Sequence, residues 1–198
     1  MSMLSPTALS LCIREVVDFV DDAGWDQPPQ MFALVPTAEL AEHEPELASA
    51  LAEDDHVAEL TPIAQEPLPG TVEGGSPELD AALAGITWPP AVVGCALVQE
   101  ILILPPEAEA ELDQVVEHAL GGASAAEQSA LEHAAAHPQR QEARLVAAVL
   151  RGGEAFCLLQ LRPDATALAE DPDAAPELLE HPELAPNLVA ALLATLED

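Results

Sequence analysis

The sequence predicts an α+β fold in which a mostly antiparallel sheet of about five strands is packed by helices on one face. Three observations predict it. Residues 91–104 form a long apolar run, rich in β-branched side chains, between two proline pairs. Residues 141–162 contain two apolar runs around Gly152-Gly153, a pair that suits a hairpin turn. Segments with apolar residues at helical spacing lie before, between and after these strands.

The first element is predicted to be a helix that starts at Ser5-Pro6, because serine caps helices and proline fits the first helical position. Its apolar residues recur at helical spacing, and Gly24 is the expected end. A short apolar strand over 31–35 follows between two prolines. A second helix is then expected over 37–51.

The middle of the chain holds a weaker strand and a clear helix start. Residues 57–63 are predicted to form a short edge strand, since Pro62 is tolerated at an edge or an end. Ser76-Pro77 repeats the helix-start signal, and that helix is expected to stop at Gly85. The long apolar run described above follows as a core strand.

The second half of the chain contains the hairpin between two helical segments. Residues 124–136 are alanine-rich and helical by propensity. The hairpin strands are expected over 141–151 and 154–162, joined by a two-residue turn. A closing helix over 186–196 carries leucines along one stripe: Leu188, Leu192 and Leu196.

The chain length of 198 residues suits a single domain with one sizeable core. Three acidic segments are expected to be loose loops on that domain: 64–75, 107–123 and 164–175.

The composition is strongly acidic. There are 36 aspartates and glutamates, five arginines and no lysine, which gives a net charge of −31. Hydrophobic residues make up 49% of the chain, so enough apolar side chain remains to drive folding. The charge repels nucleic-acid phosphates and anionic membranes, so neither is expected as a partner. Such acidity either attracts basic partners or only maintains solubility.

The cysteines and the N-terminus indicate a cytoplasmic protein. Cys12, Cys95 and Cys157 are too few and too scattered for a disulfide framework, and each lies in an apolar stretch. The N-terminus lacks the pattern of a signal peptide, and no apolar run reaches the ~18 residues of a membrane span.

Missing residues exclude several enzyme chemistries. Without lysine there is no phosphate-loop lysine, no protein-kinase strand lysine and no Schiff base. The dinucleotide-binding glycine loop, the Gly-x-Ser-x-Gly elbow and the His-Glu-x-x-His motif are also absent. No cofactor is expected, and no catalytic residue is assigned.

Histidine and cysteine offer two weak candidates for chemistry. His133 and His137 lie one helical turn apart, as two metal ligands would, but a metal site needs further converging groups. No metal site is therefore predicted. Cys95 or Cys157 could act as a nucleophile with His137 as its base, but apolar surroundings favour inert core thiols.

The arginines are unevenly placed. Four of the five lie within 140–162, where only two glutamates oppose them. Strand alternation puts Arg140, Glu142 and Arg144 on one face. Their forked guanidinium groups would bind an anion or a carboxylate, with His137 nearby. The alternative is an internal ion-pair network that holds acidic loops to the sheet.

Trp25 and Trp88 are the only tryptophans, and each lies close to a proline pair. Either could anchor a binding partner. The alternative is that each locks a helix-to-strand connection into the core.

Several segments resemble an uncharacterised family of acidic actinobacterial proteins over roughly half of the chain. They are GWDQPP at 24–29, FALV at 32–35, WP at 88–89, GCA at 94–96, LPP at 104–106 and HPQRQEARLV at 137–146. The family has no assigned activity, so the resemblance implies a bacterial cytoplasmic protein and no catalytic residue. It directs attention first to Trp25, Trp88, His137, Arg140 and Arg144.

Together these observations favour a non-enzymatic protein-binding or chaperone-like module that binds a protein or peptide segment and could form a homodimer. The order of elements alone is similar to that of secretion chaperones, although fold does not fix function. The alternative is an enzyme of unrecognised class that acts on an anionic small molecule through His137, Arg140 and Arg144. A domain whose acidity mimics nucleic acid is the third hypothesis.

Overall fold

The computed structural model describes residues 4–43, 58–68, 76–105, 134, 136–163, 176–181 and 183–197. Its elements confirm the predicted α+β class. In chain order they are α1 (Ala8–Ala23), β1 (Gln30–Pro36), α2 (Thr37–His43), β2 (Leu60–Ala64), α3 (Pro77–Ala84), β3 (Gly94–Ile103), β4 (Gln141–Leu150), β5 (Ala155–Leu161), β6 (Leu178–Glu180) and α4 (Pro186–Thr195).

The strands form one open antiparallel sheet in the order β2-β1-β3-β4-β5-β6. The described residues contain six strands, one more than the sequence predicted. The additional strand is β6, which has only three residues, all of them exposed. A strand this short carries no apolar alternation, so its sequence gives no periodic signal.

The chain divides into two compact units. The first comprises Met1–Glu100, Leu145–Leu159 and Leu178–Asp198, and the second comprises Ile101–Arg144 and Gln160–Glu177. The expectation of a single domain stays a prediction.

Within the first unit, apolar clusters lie on both faces of the sheet. The cluster on the α1 face joins buried residues of that helix to Phe32, Leu34, Ala96, Val98, Val146, Ala148 and Leu158. The cluster on the α3–α4 face joins Leu79, Leu83, Leu192 and Leu196 to the alternate strand residues. The expectation that helices cover one face is therefore wrong.

Helix α1 buries one stripe of side chains on the sheet, as its apolar spacing predicts. The buried residues are Ala8, Leu9, Cys12, Ile13, Val16, Val17 and Val20. The helix ends where Gly24 takes a left-handed conformation with φ of +82°. It begins at Ala8, a few residues after the predicted Ser5-Pro6 start, because residues 6 and 7 form a turn.

The two helices on the opposite face begin where the sequence predicts. Ser76 is the N-cap of α3, and its Oγ accepts a hydrogen bond from the Leu79 backbone N–H at 3.2 Å. Pro186 occupies the start of α4, and the leucine stripe of that helix is directed to the core, with Leu192 and Leu196 buried.

The β4–β5 hairpin is confirmed. Its loop, counted between the hydrogen-bonded residues Leu150 and Glu154, has three residues rather than two. The Leu150 N–H donates to the Glu154 carbonyl at 2.9 Å, and the Gly153 N–H donates to the Leu150 carbonyl at 2.9 Å. Gly153 has φ of +93°, which a three-residue hairpin loop requires at its last position. Arg151 therefore belongs to the loop.

Several predicted segments lie outside the described residues. They are 107–123, 164–175, most of 124–136, and the parts of 37–51 and 64–75 beyond His43 and Leu68. In the ranges that are described, no helix has both the length and the apolar character needed to cross a membrane.

Candidate functional site

Trp88 lies in the core, where it holds α4 against the sheet. The residue is 9% exposed, and its indole Nε1–H donates to Thr195 Oγ1 at 3.0 Å. The Thr195 hydroxyl in turn donates to the Leu192 carbonyl at 2.7 Å. This placement supports the interpretation of Trp88 as a structural lock, because its ring is not available to a partner.

Arg151, in the hairpin loop, donates hydrogen bonds to the Trp88 segment and to the end of α4. Its Nε–H donates to the Val92 carbonyl at 2.9 Å, and Nη2 donates to the carbonyls of Trp88 at 3.1 Å and Pro89 at 3.4 Å. Nη1 donates to the carbonyl of Leu196, the C-cap of α4. A cation at a helix C-terminus satisfies free carbonyls and complements the helix dipole. Arg151 is therefore structural.

Trp25 lies half-buried in the turn after α1, and a carboxylate of β3 holds that turn. Glu100 accepts hydrogen bonds from the backbone N–H groups of Asp26 at 3.0 Å and Gln27 at 3.2 Å. Asp26 has φ of +66°, which aspartate tolerates better than most residues. The conformation of the Trp25 segment thus depends on Glu100.

In the second unit, two adjacent polar pairs connect the first residues of β4 to the end of β5 and to Arg162, which directly follows it. Arg144 is 1% exposed, and its Nη1 donates to Gln160 Oε1 at 3.0 Å. Arg162 forms an ion pair with Glu142, and its backbone N–H donates to the Glu142 carbonyl at 2.9 Å. This ion pair connects the two sides of the hairpin, whereas the network expected to hold acidic loops to the sheet stays a prediction, because those loops lie largely outside the described residues.

His137 and Arg140 lie in the turn before β4. The His137 Nδ1 accepts a hydrogen bond from the Gln139 N–H at 3.2 Å, and the Arg140 N–H donates to the His137 carbonyl at 3.2 Å. Arg140 is exposed whereas Arg144 is buried, and the extended chain between them places their Cα atoms roughly 13 Å apart. The described geometry does not bring these side chains to one point.

His133 lies outside the described residues. Where residues are described, no group of three or more histidine, cysteine, aspartate or glutamate side chains is arranged to hold a metal ion.

The three cysteines are buried and form no disulfide, in agreement with the prediction of core thiols. Burial raises the pKa of the Cys12 thiol to about 12 and that of Cys95 to about 11, and it raises the pKa of Cys157 as well. All three thiols are therefore protonated at neutral pH, which makes them poor nucleophiles.

We expect native protein at pH 8 to resist iodoacetamide, because a thiol needs both exposure and ionisation to react. Protein unfolded in guanidinium should take up one label on each cysteine under the same conditions. Intact-mass measurement over time checks this. Rapid labelling of any single cysteine in the native protein would contradict the burial described above.

Strand β6 is the last strand of the sheet, and among the described residues no further strand lies beside its outer edge. The Leu161 N–H donates to the Glu177 carbonyl at 3.0 Å, and the His181 N–H donates to the Cys157 carbonyl at 3.1 Å. Strand alternation therefore directs the backbone N–H and C=O groups of Leu178 and Glu180 away from β5. No hydrogen bond of these outward groups occurs in the described part of the chain.

Exposed apolar side chains lie on the same short strand. Leu178 is 42% exposed and Leu179 is 54% exposed. Successive strand residues point to opposite faces, so one leucine lies on each side of the sheet. Glu180 lies on the α1 face with Leu178, and its Oε1 accepts a hydrogen bond from Arg14 Nη2 at 2.5 Å.

The opposite edge of the sheet, β2, is protected. Its pairing with β1 includes the Gln65 N–H to the Met31 carbonyl at 2.9 Å and the Thr37 N–H to the Glu59 carbonyl at 3.0 Å. Pro62, in the middle of β2, therefore occupies an outward position, where its missing N–H deletes a donor from the free edge. Proline at such a position blocks the addition of another strand. The short β6 edge contains no proline, so both of its outward residues, Leu178 and Glu180, keep an N–H as well as a C=O group.

A family model described as PPA1309-like protein matches residues 9–197. The chain belongs to this family. The match spans nearly the whole sequence and confirms the resemblance to an uncharacterised family, whereas the actinobacterial origin stays a prediction. No curated protein and no solved structure matches this PPA1309-like chain.

Sequence reasoning about the PPA1309-like chain missed the β6 edge. The available signal was local: Leu178-Leu179 is an apolar pair between acidic residues. A pair of leucines is compatible with a helix turn, a loop or a strand, so the sequence alone did not separate them.

Proposed function

We propose that this PPA1309-like protein binds an extended segment of another protein by adding it as a further strand beside β6. The observation that carries the proposal is the free β6 edge, with outward backbone groups on Leu178 and Glu180 and a half-exposed leucine on each face. In strand addition, main-chain hydrogen bonds supply affinity and alternate side chains supply specificity.

The contrast between the two edges supports the proposal. Proteins commonly protect free edges, and β2 carries Pro62 at the middle one of its outward positions. The β6 edge has no proline and no lysine, and it exposes apolar side chains. An edge left open in this way is suited to a partner strand.

The alternative, an enzyme that uses His137, Arg140 and Arg144 on an anion, gains no support from their described placement. The Arg144 guanidinium is buried and donates to Gln160. We therefore propose a binding function rather than a catalytic one. We also propose a cytoplasmic location, because three buried thiols that form no disulfide suit a reducing compartment.

Leu178→Pro tests the proposal, because it removes one outward N–H while the N–H groups that face β5 remain. Peptides selected from a random display library on the native protein should bind this variant about tenfold more weakly, through one lost hydrogen bond and a restricted backbone. Fluorescence anisotropy of labelled peptides measures the change. Thermal unfolding of the variant verifies that the fold is intact.

Leu178→Ala is the matched control, since it removes the side chain and keeps the N–H. If the partner binds by strand addition, Leu178→Pro should weaken peptide binding clearly more than Leu178→Ala does. Equal losses in the two variants, or peptides that bind both variants as tightly as the native protein, would contradict binding through the backbone of β6.

A further inference from the structure

We infer that the segment accepted beside β6 is cationic, and that Arg14 competes with it for Glu180. This inference rests on the proposed function and specifies the partner. The backbone N–H and C=O groups of Glu180 point away from β5, and its carboxylate lies on the α1 face. The side chain is therefore next to the place that an added strand would occupy. In the structure this carboxylate forms an ion pair with Arg14 of the same chain.

The ion pair between Arg14 and Glu180 is exposed enough to be exchanged. The Arg14 side chain is 53% exposed and the Glu180 side chain is 35% exposed. Exposed ion pairs contribute little net stability, because water screens the charges and long side chains lose entropy when they are fixed. A cation delivered by a bound strand can therefore replace Arg14 without disturbing the core.

The charge around the edge selects a basic partner over a second copy of this chain. Glu177 and Glu183 flank β6 and are exposed, and Glu180 lies within it. Two β6 edges paired with each other would bring these carboxylates together in chains that each carry a net charge of −31. Like charges on opposing strands are unfavourable, whereas opposite charges are favourable.

The spacing of Leu178 and Glu180 defines the partner pattern further. These residues share one face and lie roughly 7 Å apart along the strand. Residues opposite them on an added strand are also two positions apart. The preferred segment therefore carries an apolar residue and an arginine or lysine separated by one residue, in an otherwise extended sequence.

Two synthetic peptides test this inference. The first alternates threonine and valine and carries one arginine two positions from a valine. The second, its twin, has glutamine in place of the arginine. Anisotropy titrations should show the arginine peptide binding several-fold more tightly to the native protein. Arg14→Gln should raise affinity for the arginine peptide about fivefold and leave the twin unchanged, because it frees Glu180. Glu180→Gln should remove the preference between the peptides.

Arg140→Gln is the matched control, because it deletes the same charge from another exposed arginine. Equal effects of Arg14→Gln and Arg140→Gln would overturn the competition, since they would reflect net charge alone. A preference that survives Glu180→Gln would also overturn it. A dimer in sedimentation experiments that is abolished by Leu178→Pro would show a second copy to be the occupant and would overturn the cationic partner.

The same titrations separate this inference from the proposed function. If both peptides bind equally and both weaken with Leu178→Pro, strand addition stands and the cationic partner is wrong. If neither peptide binds the native protein, strand addition at β6 is wrong as well.

Discussion

Arg151→Met is expected to lower the free energy of unfolding by about 3 kcal/mol, which for a chain of this size lowers Tm by roughly 10 °C. Methionine retains much of the aliphatic length but removes every donor to the carbonyls of Trp88, Pro89, Val92 and Leu196. Those carbonyls include the C-cap of α4, so the helix loses its cationic cap at the same time. Thermal and denaturant unfolding measure the loss.

Arg140→Met is the control for Arg151→Met, because both variants change the net charge by the same amount. Arg140 is exposed, and substitutions at such positions usually change stability by less than about 0.5 kcal/mol. Arg151→Lys should lie between the two, since lysine keeps the charge but not the planar set of donors. Equal Tm values for the two methionine variants would show that the carbonyl contacts contribute nothing measurable.

The role of Arg151 illustrates what local sequence could not reveal. The sequence placed it in a cationic cluster with Arg140, Arg144 and Arg162, on the basis of proximity along the chain. In the structure its partners belong to the Trp88 segment and to the end of α4, far away in sequence. Pairings over such separations follow from the order of strands in the sheet, which alternation and turn signals do not fix.

The sequence contains a signal that helices cover both faces of the sheet. A strand with one solvent face alternates between apolar and polar residues, whereas β1 reads Met31 to Val35 without interruption. The first half of β3 is equally continuous, and all these residues are buried. Continuous runs in two strands indicate helices on both faces, which α1, α3 and α4 supply.

The candidate site was less accessible to sequence reasoning than the fold. Helix starts at Ser76 and Pro186 depend on nearest neighbours, so local signals were sufficient. The β6 edge depends instead on which strand lies last in the sheet, and on Pro62 blocking the other edge. Neither property belongs to the residues of β6 themselves.

Gly94→Ala is expected to destabilise the protein by about 3 kcal/mol or more, because the space for a Cβ atom is filled by backbone. A Cβ at this position would lie 2.5 Å from the Val149 carbonyl oxygen and 2.6 Å from Leu150 Cδ2. Gly94 begins β3 and pairs with Leu34 of β1 on its other side, so the strand has no free direction in which to move. Denaturant unfolding with an unchanged m-value would measure the loss of stability.

Gly152→Ala separates the steric argument from a general intolerance of alanine. A Cβ on Gly152 would come within 2.4 Å of an atom as well, but that atom is Oε2 of the exposed Glu154 side chain. Such a side chain rotates away at little cost, so the expected destabilisation is less than about 1 kcal/mol. Equal effects at Gly94 and Gly152 would contradict the close packing of β3 against β4 at Gly94.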